Sequence, residues 1–420
     1  MHVLFFEDGL VDRLAPITLG RPAYAITCGA ARLIDVCRLE SAASVRSAVV
    51  RPHLFDLQRA EFPELRSWGE LSSGGVSGQV LLVNSRLVPD VRVVAELQRL
   101  AGDSVAGVIR CGDSIVAAVV PGDWLPSTEG QLEFLEALSR LVERLPLLSI
   151  DGVELLEYPH DVVRWHTEIL LDGLSWRLSQ AEYREVRPGV FVGEGVTLPD
   201  SFATDTSAGP IVLDKSVMVS PFAILHGPLW VGARARIMEH AIIKGGVSLG
   251  PTTKVGGEVL SSVIEAYSNK QHYGFLGHSY VGSWVNLGAG TSNSDLKNTY
   301  GMVNMEYGDR KVATGLQFMG CIVGDYTKTA VNTSIFTGKV LGVGSMVYGY
   351  VTSNVPSFTN YARGFGQVTE LTPDILAETQ RRTFLRRQVE QRPYHVELLR
   401  AMHELTRSER IGLEVRPLAF

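Results

Sequence analysis

LDKSVMVSPFAILHGPLWVGARARIMEHAIIKGGVSLGPTTKV, residues 213–255, repeats with a period of six. Stepping by six from Leu213 meets Val219, Leu225, Val231, Ile237, Ile243, Leu249 and Val255, eight aliphatic side chains without an exception. Four residues after each comes a small or aliphatic one: Val217, Ala223, Leu229, Ala235, Ala241, Val247, Thr253 and Val259. About half of all residues are apolar, so an unbroken run of this kind has a low chance probability. A period of six fits neither an α-helix nor a two-faced strand. It fits a triangular coil in which each hexad makes one short strand and one turn.

The register resumes at Val281 and Leu287, and again at Val323, Thr329, Ile335, Leu341 and Val347. Glycine directly follows many of these positions, as at Gly232, Gly250 and Gly342, where it is expected to ease the corners. Stacked coils bury one continuous core. Hexad solenoids of this kind resemble the left-handed parallel β-helix, which is the fold expected over residues 187–360.

The flanking parts read differently. Over residues 1–180, VLFF (3–6), VLLV (80–83), VAGVI (105–109) and SIVAAVV (114–120) read as buried strands. Residues 129–145 and 161–174 carry the apolar spacing of amphipathic helices. Strands alternating with helices predict an α/β layer fold. Residues 365–420 return to a helical pattern, with Thr372-Pro373 as a start signal, and are expected to cap or cover the end of the solenoid.

The 420 residues carry 39 Lys+Arg against 45 Asp+Glu, a net charge of −6 that sets up no sequence-wide field for nucleic acid or an anionic membrane. Cys28, Cys37, Cys111 and Cys321 contain no CxxC pair, so neither a zinc site nor a disulfide framework is expected. The N-terminus MHVLFFEDGLVDR has acids where a secretory signal needs bases, and no apolar run approaches a membrane span. The expectation is a cytoplasmic protein.

From Val255 to Val281 is 26 residues, which six does not divide. Irregularities in a solenoid are where function is usually put. The segment that follows and the break itself gather His272, His278, Lys270, Asn286 and the Gly-Ala-Gly corner 288–290. NLGAGT (286–291), with a histidine fourteen residues before its asparagine, is similar to the acetyltransferase half of the bifunctional enzymes that make UDP-N-acetylglucosamine. The run YSNKQHYGFLGHSYVGSWVNLGAGTSNSDLKNTYG resembles an alternative bacterial branch of that family.

The resemblance implies acetyl transfer from acetyl-CoA to an amino-sugar phosphate, with His272 as general base, since an amine attacks a thioester only when unprotonated. It implies Asn286 as a sugar-binding residue, and Gly288 and Ala289 as backbone donors to the thioester or cofactor. Lys270 and Lys244 are candidates for the substrate phosphate, and His278 is read as a packing residue. The adenine end of acetyl-CoA would lie against later coils, around Thr337–Tyr350. Arg381, Arg382, Arg386 and Arg387 read as a solvated helix face. A homotrimer with the site between subunits is expected by analogy.

The N-terminal part resembles sugar nucleotidyltransferases, which implies a Rossmann-like nucleotidyltransferase domain. RLAPITLGRPA (13–23) matches the second half of their phosphate-binding motif, while EDGLVDR replaces the glycine loop and Ala23 the lysine. Arg13, Arg21 and Asn84 are the surviving candidates, Asn84 standing where these enzymes hold Mg²⁺ with an aspartate. Two alternatives stay open: Mg²⁺-dependent nucleotidyl transfer from UTP or dTTP as the main activity, and a non-catalytic sugar-nucleotide-binding trimer.

Overall fold

The computed structural model describes residues 1–38, 45–72, 76–128 and 130–415. The chain divides into two compact units, Met1–Ile26 with Ala31–Glu157, and Thr27–Ala30 with Tyr158–Phe420. No helix among the described residues is long and apolar enough to cross a membrane.

The first unit is an α/β layer built on a six-stranded sheet. Its order is Leu65–Ser67, Val45–Val49, His2–Phe6, Gln79–Asn84, Ser114–Pro121, Gly107–Cys111. The first four strands run parallel, and Ser114–Pro121 runs antiparallel to both of its neighbours, Gln79–Asn84 and Gly107–Cys111. All four strands expected from the apolar runs are present. Leu4, Phe6, Val80, Leu82, Ala118 and Val120 form a core with Phe134 and Leu138 of the helix Gln131–Val142. That helix lies inside the expected 129–145 segment, whose Glu129 falls outside the described residues. The chain reverses its direction of winding beside the central strand His2–Phe6, which puts the topological switch point at the carboxyl ends of His2–Phe6 and Gln79–Asn84.

The second unit is the parallel β-helix. Its three faces are strand ladders, the longest of nine strands. Leu213 pairs with Val231 and Val231 with Leu249, each one full turn of three hexads later. The hexad aliphatics from Leu213 to Val255 are wholly buried in one core, apart from a 3% exposed Val219. The glycines act otherwise than expected. Gly232 and Gly250 do not adopt left-handed backbone; corner residues that do include Arg234, Thr252, Tyr267 and Trp284. A Cβ on Gly250 would stand 2.6 Å from the backbone nitrogen of Ala266 on the next coil, so glycine is needed there for close approach between coils.

The break between Val255 and Val281 is not an excursion. Ile243, Val259 and Leu276 stack in register, as do Leu249, Ile264 and Val281, through turns shortened to 15–17 residues. The true insertion comes later, where Val281 pairs with Val323 and a hairpin, Asn304–Tyr307 with Arg310–Ala313, projects from the coil.

The helix Pro159–Gln180, expected to close the first domain at residue 180, groups with the β-helix instead. Its Leu170 and Leu174 pack on Val212 and Trp230, Arg177 lies 4.0 Å over the Trp230 ring, and Gly173 meets the Gly29 carbonyl so closely that no Cβ fits. Apolar periodicity announces a helix but not the layer that it covers. After the last coil come helices Pro373–Leu385, capped by Thr372, and Pro393–Leu405. The first runs back along a corner of the solenoid: Leu376 crowds Gly344, and Phe384 stacks 4.2 Å from Trp284. The last five residues of the expected 365–420 tail lie outside the described residues.

Candidate functional site

One face of the β-helix is a ladder of two-residue strands, each with one side chain inward and one outward. Inward stand Ile237, Val255, Lys270 and Val347; outward stand Arg236, Lys254, Asn269, Asn286, Lys328 and Met346. The outward stripe floors a cavity of about 1110 Å³, which His272, Gly288, Ala289, Tyr267 and Trp284 also line. Its remaining wall comes from the C-terminal helix and the residues after it, through Arg382, Arg386 and Arg387.

Four of the expected acyl-transfer residues therefore meet at one cavity. His272 stands exposed on the corner, and its carbonyl oxygen accepts from Lys270 Nζ at 3.2 Å. Asn286 is exposed, with Oδ1 accepting from Asn269 Nδ2 at 3.3 Å. Gly288 gives up its N–H to the next coil, at 3.2 Å from the Thr329 carbonyl and 3.0 Å from Thr329 Oγ1, which removes it as an oxyanion donor. The Ala289 N–H has no partner among the described residues.

The two lysines read as phosphate ligands are placed otherwise. Lys270 occupies an inward position, paired with Val255, and is 2% exposed. Its ammonium donates to the carbonyls of Gly256 (2.9 Å), His272 and Gly274 (2.6 Å), leaving nothing for a phosphate. Burial lowers its pKa to about 8. Lys244 lies on another face, ion-paired to Glu258 at 2.6 Å. His278 does not line the cavity; its Nδ1 is 2.8 Å from Asp295 Oδ2 and its ring stacks on Phe318.

Arg234, Arg236 and Lys254 escaped the sequence reading, although the outward register was the available signal: eighteen residues separate Arg236 from Lys254. Arg381, Arg382 and Arg386 are exposed, as expected of a solvated face, while Arg382, Arg386 and the half-buried Arg387 also line the cavity. Arg387 Nη2 donates to Asn269 Oδ1 at 2.5 Å, and burial with Arg386 and Arg236 nearby lowers its pKa. Lys254 is lowered by burial and then by Arg387, Arg236 and Arg386. Arg234, Arg236, Lys254, Arg386 and Arg387 have no carboxylate partner among the described residues. An assembly of like charges without counterions is an anion site in waiting.

In the first unit Asn84 lies at the switch point on the sheet's carboxyl edge, wholly buried. Its amide donates to Asp8 Oδ2 and the Ile115 carbonyl, both at 2.8 Å, and its Oδ1 accepts from the Arg86 N–H. Asp8 is also bound bidentately by Arg86, at 2.7 and 2.8 Å. Burial alone would raise the Asp8 pKa, but Arg86 and Asn84 outweigh it and hold the carboxyl below its usual value. The Asn84 amide is thus committed and cannot serve a metal as it stands. Arg13 lies 3.8 Å from Glu157, and Arg21 is buried with its carbonyl accepting from Arg51. Among the described residues no group of three His, Cys, Asp or Glu is placed to hold a metal.

Residues 3–176 match the sugar nucleotidyl transferase family. The bifunctional protein GlmU of Methanococcus vannielii is 26% identical over 230 residues, covering 53% of this chain and 50% of that one. A bifunctional sugar-1-phosphate nucleotidylyltransferase/acetyltransferase of Sulfurisphaera tokodaii is 29% identical over 91 residues, 22% of this chain and 23% of its own. The chain spans about half the length of the first of these relatives. Among solved structures, an Arabidopsis UDP-N-acetylglucosamine acyltransferase overlaps 56% of this chain and 97% of its own at 12% identity, with a TM-score of 0.26; a likeness that slight carries no functional weight.

Proposed function

We propose that this chain, whose residues 3–176 carry a sugar nucleotidyl transferase domain, is an enzyme of sugar-nucleotide synthesis whose β-helix transfers an acetyl group from acetyl-CoA to the amine of an amino-sugar phosphate. The observation that carries this reading is a single cavity lined by His272, Asn286 and Ala289 together with five cations that have no carboxylate partner among the described residues. The resemblance of NLGAGT to the bifunctional relatives supports the same assignment.

Acetyl-CoA supplies an activated acyl thioester. His272 takes the proton from the sugar amine as its nitrogen closes on the acyl carbon, then returns a proton to the departing thiolate. Asn286 hydrogen-bonds the sugar and holds the amine at the corner. The Ala289 N–H faces the oxygen on which charge develops. Assembly as a homotrimer in the cytosol belongs to the same reading. A screen of thiol release from acetyl-CoA against several amino-sugar phosphates tests it; no release with any of them would defeat it.

A second reading, nucleotidyl transfer from UTP or dTTP with Mg²⁺, is favoured by the family match of residues 3–176. Asp8 at the switch point is the carboxylate that a magnesium ion would need, once released from Arg86. Pyrophosphate release in the presence of a sugar-1-phosphate tests this, and its absence across substrates would remove it. Ligand binding without turnover at either site would leave the non-catalytic trimer.

A further inference from the structure

Lys328, beyond Asn286, spends its ammonium on the Trp284 and Tyr326 carbonyls, and the other cations of the cavity are not spread evenly around His272. Arg236 and Lys254 lie on the coils before it, and Arg234 and Thr252 form the adjoining corners. The segment that follows the helix Pro373–Leu385 brings Arg386 and Arg387 to the cavity, where Arg387 donates to Asn269, between Lys254 and Asn286 on the ladder. From Asn286 to Arg236 is three coil steps, roughly 14 Å at about 4.8 Å per step. A sugar monophosphate held at His272 and Asn286 is too short to reach that far. The later coils, where the adenine end of the donor was expected, contribute only Met346 of the Thr337–Tyr350 stretch to the lining.

Beside the cations stands an aromatic wall. Tyr267 stacks on Trp284 with centroids 4.2 Å apart and planes 5° from parallel, and Trp284 in turn meets Phe384 of the C-terminal helix. Tyr267 lines the cavity and is held in place by this stack. A rigid ring next to uncompensated cations suits a ligand that joins a planar base to a diphosphate.

We propose that the early-coil end of this cavity is a nucleoside-diphosphate subsite, its phosphates held by Arg234, Arg236 and Lys254 from the solenoid and by Arg386 and Arg387, which follow the helix Pro373–Leu385 of the same chain, with Tyr267 against the base. The inference rests on the acyl-transfer reading of the same cavity. Two ligands share this chemistry, the nucleotide end of the acyl donor and a nucleotide-linked sugar as acceptor.

The test is calorimetric titration of the full-length protein with CoA and, separately, with UDP at about 0.1 M ionic strength, where exposed charges are screened within about 10 Å. Arg386→Gln/Arg387→Gln should weaken at least one ligand tenfold or more. Arg236→Gln, which leaves the Arg387–Asn269 contact alone, should do the same, and Tyr267→Leu should weaken that ligand as well. Arg381→Gln, on the same helix but paired with Glu378 outside the cavity, should change nothing. Loss confined to CoA assigns the subsite to the donor, and loss confined to UDP assigns it to the acceptor. Wild-type affinity for both ligands in the Arg386/Arg387 and Arg236 variants, or binding of neither ligand by the wild type, would overturn the proposal. Because no turnover is read, an inactive or fully active His272 variant leaves this result untouched, so the two claims fail separately.

Discussion

Lys270 Nζ lies 2.6 Å from the carbonyl oxygen of Gly274, tying the corner that carries His272 to the interior of the solenoid. The lysine fills a core position, and burial takes its pKa from 10.5 to about 8. Between those values the unfolded chain binds more protons than the folded one, so stability rises with pH across that window. Lys328, lowered by burial to about 8 as well, acts in the same direction. Lys270→Met leaves three buried carbonyls without their donor and is expected to cost about 1–3 kcal/mol at pH 7. Urea midpoints from pH 7 to 10 should rise less steeply in the variant; parallel curves would remove the assignment.

His166 is enclosed by the helix Pro159–Gln180. Its Nδ1 accepts from the Gly29 N–H at 3.0 Å, so Nε2 carries the proton toward the Gly246 carbonyl, 3.1 Å away. Burial lowers its pKa to about 4. The unfolded histidine takes up a proton near 6.5, so its contribution to stability is lost as pH falls from about 6.5 to 4. His166→Phe should cost about 2–4 kcal/mol for two broken buried hydrogen bonds and flatten the acid limb of a melting-temperature profile. An unchanged acid limb would show that the histidine is not held neutral.

Gly173 faces the Gly29 carbonyl, and a Cβ there would stand 1.6 Å from the oxygen. Backbone on both sides cannot yield as a flexible side chain can. Gly173→Ala is expected to destabilise the second unit by at least about 3 kcal/mol, the top of the usual overpacking range. A denaturation midpoint within error of wild type would mean that the helix packs elsewhere.

Asn84→Asp would set a carboxylate about where the Asn84 amide now lies 2.8 Å from Asp8 Oδ2. Two carboxylates at that separation with one arginine between them should lower stability by about 1–3 kcal/mol near neutral pH. Addition of millimolar Mg²⁺ should recover part of the loss if the switch point is a vestigial metal site. Stability equal to wild type without magnesium would contradict the buried network described for Asp8.

The solenoid was legible because its period is set by geometry that sequence must obey: every sixth inward position from Leu213 to Val255 is aliphatic and buried. The same rule, carried through the shortened turns, would have exposed Lys270 as a core residue, since it stands in register with Val255. Counting in sixes alone lost that register once turns shrank to 15–17 residues. Gly288 looked free because its pairing partner, Thr329, arrives only after the inserted hairpin, 41 residues on. Arg386 and Arg387 looked remote from the site for a related reason. Their neighbours Asn269 and Arg236 are more than a hundred residues away in sequence, and nothing local announces which corner a returning helix will follow. His272 and Asn286 were found through motif spacing, and the cavity that joins them needed the structure.

The central claim is that His272 is the base for acyl transfer. It is tested most directly by thiol release from acetyl-CoA with an accepted amino-sugar phosphate, comparing wild type with His272→Ala in protein of unchanged melting temperature. Loss of at least about a hundredfold in turnover is predicted, the low end of what a general base contributes. Turnover within a few-fold of wild type would contradict the account.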